Sequence, residues 1–76
     1  MTKVAYTIVI ERSPNNFAAY VPDLPGCVVT GSTEEEVTQL MAEAIRFHIE
    51  GLLEDGEPIP PPQSTSRTVE TELAGV

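Results

Sequence analysis

The chain has 76 residues and a mass of 8.2 kDa, enough for one domain with a thin core, because a chain this short buries only about 60% of its unfolded surface. Twelve acids against four bases give a formal charge of −8 and a pI near 4.3, which argues against a free-standing binder of DNA, RNA or anionic membrane, since phosphate neutralisation needs clustered Lys and Arg. One cysteine rules out an internal disulfide, and with no long apolar run at the N-terminus the expectation is a cytoplasmic protein without secretory signal or membrane span.

In chain order, residues 4–11 alternate as a strand, with Val4, Tyr6, Ile8 and Ile10 on one face and Ala5, Thr7, Val9 and Glu11 on the other. Arg12-Ser13-Pro14-Asn15-Asn16 carries the turn chemistry of a hairpin connection. A second strand over 17–21 puts Phe17, Ala19 and Val21 on one side and Ala18 and Tyr20 on the other. Pro22-Asp23-Leu24-Pro25-Gly26 then stops it, with Pro25-Gly26 suited to the two central positions of a type II turn. Residues 27–30 make a third short strand, closed by Gly31.

The helix signal is the strongest. Thr33 with Glu36 forms a capping box, Ser32 with Glu35 offers the same pattern one residue earlier, and three glutamates in the first turn favour the positive end of the dipole. At 100° per residue, Val37, Met41, Ala44, Ile45, His48 and Leu52 share one arc, flanked by Leu40 and Phe47 on one side and Ile49 on the other. That arc spans nearly half the circumference, wider than one sheet face needs. Gly56 is the natural stop. The helix is expected to cross the sheet along the Val37, Met41 and Ala44 line.

Glu57-Pro58-Ile59-Pro60-Pro61-Pro62 cannot continue a helix and is expected to run extended. Residues 67–73 alternate Val69, Thr71 and Leu73 against Thr68, Glu70 and Glu72, a weak last strand. The expected fold is therefore α+β: a two-layer sandwich of order β-β-β-α-β, an antiparallel three-stranded meander followed by a helix and a weak fourth strand. One domain is expected over residues 1–76, with 57–65 as a proline-rich connector.

The field is uneven: from Thr33 to Glu57 there are eight acids and one base, −7 of the net −8. Catalytic chemistry finds little support. His48 and Cys27 bring no further ligands for a metal, and no serine sits in a strand-turn-helix elbow. His48 reads as a core or partner-facing histidine and Cys27 as a small buried apolar residue. Nuclease chemistry needs carboxylates converging from separate strands, and the strands offer only Glu11, Glu70 and Glu72. No catalytic residue, metal or cofactor is expected.

Pro22-Asp23-Leu24-Pro25-Gly26-Cys27, Gly31-Ser32-Thr33-Glu34-Glu35-Glu36, Phe47-His48-Ile49-Glu50-Gly51-Leu52 and Gly56-Glu57-Pro58-Ile59-Pro60, in this order and spacing, resemble the HicB-like antitoxin family. The likeness runs from Tyr6 to about Pro62. It implies a partial, degenerate RNase H-like fold without the nuclease carboxylates, and a non-enzymatic antitoxin of a type II toxin-antitoxin system. The implied partner is a small basic HicA-like toxin that cleaves mRNA and whose active site the antitoxin masks. Many members carry a C-terminal DNA-binding domain, and this chain, ending at Val76, is expected to be without one. The alternative is a stand-alone oligomeric HicB-like module binding another protein or a small ligand, without a toxin. Either way a homo-oligomer, dimer or higher, is expected, because the second sheet face is mildly apolar and its edges are unguarded. Neither nucleic acid nor membrane is an expected partner. For a basic toxin, the expected contacts are the carboxylates of Asp23, Glu43 and Glu50, with Leu24, held between two prolines, as the apolar anchor.

Overall fold

The computed structural model describes residues 3–75, so residues 1, 2 and 76 of the expected domain lie outside the described residues. Three strands, β1 (Val9–Arg12), β2 (Phe17–Tyr20) and β3 (Val28–Gly31), form an antiparallel meander, and one helix, α1 (Glu34–Glu54), follows. The α+β class, the meander and the strand-strand-strand-helix order are as the sequence predicts.

Register explains the core. Ile10, Ala19 and Val29 lie abreast across the sheet, as do Arg12, Phe17 and Gly31, which places Ile10, Phe17, Ala19 and Val29 on one face. That face meets Val37 and Met41 of α1, both fully buried, with Ala44 and Ile45 packed beside them. The helix therefore crosses along the expected line and rests on β3 and β2. The opposite sheet face, with Tyr20 and Val28, is open to solvent.

Local chemistry fixes the ends of α1. Thr33 is the N-cap, its Oγ1 accepting from the Glu36 amide at 3.0 Å, while Glu36 Oε1 accepts from the Ser32 amide at 2.8 Å. Of the two boxes the sequence offers, Thr33–Glu36 forms. At the other end the Gly56 amide donates to the Leu53 carbonyl and the Glu57 amide to the Leu52 carbonyl, with Gly56 at φ 67°. That is a Schellman stop, which needs a left-handed residue at Gly56.

Two expected strands change. Pairing begins at Val9 rather than Val4, because β2 offers four residues to pair with and residues 4–8 run on past its end. Residues 67–73 form no strand: Val69 is 81% exposed and Leu73 67%, so their alternation meets neither a ladder nor a core. The tail is instead fastened by side chains. Tyr6 Oη donates to the Pro60 carbonyl at 2.6 Å and Thr7 Oγ1 to the Ser64 carbonyl at 2.7 Å.

The helix outruns its support. Twenty-one residues extend about 31 Å, whereas a four-residue strand covers about 13 Å. The second half of α1 accordingly keeps apolar groups in solvent, with Phe47 79% and Leu53 61% exposed.

Candidate functional site

The β2–β3 connection is built from two successive turns. The Leu24 amide donates to the Val21 carbonyl and the Cys27 amide to the Leu24 carbonyl, each at 3.1 Å, with Gly26 at φ 85° as a type II turn requires. The Val21 amide closes the base on the Cys27 carbonyl at 3.3 Å. This double turn drives the Leu24 side chain inward, where it is fully buried with Val21, Cys27, Val37 and Met41. The expectation that Leu24 offers an exposed anchor is therefore corrected: it is a core residue, and burial leaves it no surface for a partner.

Asp23, next to it, is half-buried and its carboxylate faces the tail. Oδ2 accepts from the amides of Gln63 and Ser64, and Oδ1 from Ser64 Oγ, all at 2.9 Å. The Ser64 amide above all, and then the Ser64 hydroxyl and the Gln63 amide, hold the Asp23 pKa below its ordinary 3.8 against the opposing effect of desolvation. Asp23 thus spends its acceptors inside the molecule.

Glu43 and Glu50 lie exposed on α1, outward from the sheet. Glu43 and Arg46 both border the surface around Leu40, Ala44 and Phe47, and Glu50 borders a second patch with Lys3, Val4, Arg46 and Ile49. The four residues thus occupy two places: Asp23 and Leu24 in the β2–β3 connection, Glu43 and Glu50 on the helix. Between the leading residues of the chain and α1 runs an open groove of about 450 Å³, lined by Val4, Tyr6, Ile8, Met41 and Ile45 among others. It exists because the helix is wider in its apolar arc than the three-strand sheet can cover.

Cys27 is buried as expected, its Sγ 3.7 Å from Met41 Sδ, and burial raises the thiol pKa. His48 is half-buried on α1. Among the described residues no three His, Cys, Asp or Glu side chains gather closely enough to hold a metal ion. No helix is long and apolar enough to cross a membrane among those residues.

Residues 6–74 match the family model described as "HicB_like antitoxin of bacterial toxin-antitoxin system". A 14.9 kDa protein of the rep-hol intergenic region of Haemophilus phage HP1 is 47% identical over 55 residues, covering 72% of this chain and 41% of the phage protein, so the chain spans well under half of that relative. A UPF0150 protein of Synechocystis is 38% identical over 56 residues, covering 72% of this chain and 71% of its own length. A chain of the solved "HicA3 and HicB3 toxin-antitoxin complex" superposes with a TM-score of 0.68 at 37% identity, covering 78% of this chain and 70% of that one.

Proposed function

The chain belongs to the HicB-like antitoxin family, and from that premise we propose that it is a non-catalytic antitoxin that neutralises a small basic HicA-like toxin by covering the toxin's RNA-cleaving site. The single observation that supports this most is electrostatic. Eight of the twelve acids fall between Thr33 and Glu57, and Glu43 and Glu50 among them are exposed on α1. Such a surface steers a cationic protein toward it and raises the rate of encounter. The likeness to a chain of a toxin-antitoxin complex points the same way. The site of action is then the bacterial cytoplasm, where such a toxin would meet its RNA, and the net charge of −8 keeps the chain itself off nucleic acid.

Asp23 and Leu24 enter this reading indirectly. Their double turn and the tail it holds set the shape of one end of the molecule, and the direct contacts fall to the helical layer. The open sheet face, with Tyr20 38% and Val28 61% exposed, supports self-association as the oligomeric form. The groove beneath Val4 and Ile45 favours the second reading, a stand-alone module that binds another protein or a small ligand.

Co-expression tests the first reading. Induction of a HicA-like toxin should arrest growth, and this chain, expressed with it, should restore growth. Arrest that persists at full expression of the folded chain contradicts the proposal.

A further inference from the structure

One stripe of α1 runs along the border between the core and the charged face, touching the core only through Ala44. Leu40, Ala44, Phe47 and Gly51 are spaced by four, three and four residues and fall within about 60° of one another on the helix. Val37 and Met41, which face the sheet, border the stripe on one side. Glu43, Glu50 and Glu54 border it on the other, within about 40° of one another, while Glu36 turns back onto the Ser32 amide and Arg46 lines the same surface beside Phe47.

Three features of the stripe serve nothing inside the chain. Phe47 is 79% exposed and Leu40 39%, on a helix whose sheet is already covered. Gly51, half-buried in the last turn of α1, is a poor helix former, yet a Cβ at that position would meet nothing within 4 Å. No neighbour in this fold requires the glycine, and its bare backbone lets another molecule come close beside the Phe47 ring. The free glutamates Glu43, Glu50 and Glu54, three acids against the single Arg46, then decide which molecule. A second copy docked here antiparallel, about a two-fold axis perpendicular to the helix, would set one row of glutamates against the other, a like-charge contact that costs affinity. A cationic protein meets the same row with opposite charge.

We propose that the Leu40–Ala44–Phe47–Gly51 stripe is the apolar anchor for a cationic protein partner, with Phe47 inserted in an apolar recess that Lys or Arg side chains surround and Gly51 giving that partner close approach to the helix. The identification of the partner as a toxin rests on the antitoxin reading; the stripe itself rests on exposure, spacing and charge. A buried aromatic anchor within a charged rim is the usual make-up of a binding hot spot.

The test uses the full chain and purified HicA3, the toxin of the solved complex, as the probe. Phe47→Glu and Gly51→Gln are compared with Val69→Glu, a substitution at an equally exposed site on the tail. Phe47→Glu should weaken binding more than about thirty-fold, the size of a hot-spot loss, and Gly51→Gln more than about fivefold, while Val69→Glu stays within twofold of wild type and all three melt no lower than wild type. Binding by wild type that survives both helix substitutions overturns the stripe and leaves the antitoxin reading standing. Loss of self-association in Phe47→Glu with toxin binding intact overturns it too, because the stripe is then a self-contact. Failure of the wild-type chain to bind HicA3 overturns the stripe as an anchor for that toxin, while the antitoxin reading itself is decided by the co-expression rescue.

Discussion

Asp23 and Ser64, 41 residues apart in sequence, are joined twice: the Ser64 amide and the Ser64 hydroxyl both donate to the Asp23 carboxylate, at 2.9 Å each. With the Gln63 amide also on Oδ2, the clasp turns a proline-rich segment into an ordered strap. Asp23→Ala should raise amide exchange at Gln63 and Ser64 to the rate of open chain, while Ala19 in β2 stays protected. Unchanged protection at Ser64 would show that Tyr6 and Thr7 hold the tail without Asp23.

The same clasp sets a pH window. The folded Asp23 pKa lies below its ordinary 3.8, so the clasp contributes its full stabilisation above that value and loses it as pH falls through the lowered one. The Ser64 amide shift, followed by NMR, should therefore titrate with a midpoint below 3.8. A midpoint at or above 3.8 contradicts the hydrogen-bond account.

Leu24 sits fully buried in the core, and Leu24→Ala should lower unfolding free energy by about 2–5 kcal/mol, the range for emptying a buried leucine site. Urea denaturation reads this directly. The folded fraction should bind a partner as wild type does. A stable Leu24→Ala variant with weakened binding would restore Leu24 as a surface anchor.

The contrast between Thr33 and Leu24 marks how far local chemistry reaches. A cap, a Pro-Gly turn and a glycine stop are settled by residues three to five apart, and the ends of α1 and the 24–27 turn were legible for that reason. The core face of the sheet was legible too, because alternation puts Phe17, Ala19 and Val21 together whichever way the chain folds. Leu24 was not, since whether a residue between two prolines points outward or inward depends on two turns closing together over Val37 and Met41. Residues 67–73 have a strand's alternation, but a strand also needs a neighbour, and no local pattern reports one. The excess width of the apolar arc was visible in the sequence; that Phe47 is what remains outside became clear only once the sheet proved three short strands wide.

Gly51→Ala should stabilise the free chain by about 0.5 kcal/mol, the low end of the glycine-to-alanine range because the site is in the last turn of α1, and the position has open space around it. For a domain of this size that is a rise of a few degrees in Tm, readable by calorimetry. A lower Tm would mean that the site is more crowded than its geometry indicates.

Glu43→Gln combined with Glu50→Gln should slow association with a basic toxin and flatten the dependence of that rate on salt, leaving dissociation nearly unchanged, as expected of exposed steering charges. Stopped-flow mixing over a series of salt concentrations separates the two rates. An unchanged association rate at low salt would place the toxin contact elsewhere.

The most direct measurement is RNA cleavage by a purified HicA-like toxin, the partner proposed above, titrated with this chain at low salt. Masking of the active site predicts that cleavage falls in proportion to added chain and stops near a fixed stoichiometry, with no loss when magnesium or other metals are removed. Cleavage that continues at its original rate in about tenfold excess of the folded chain, with both proteins at micromolar concentration or above, contradicts it.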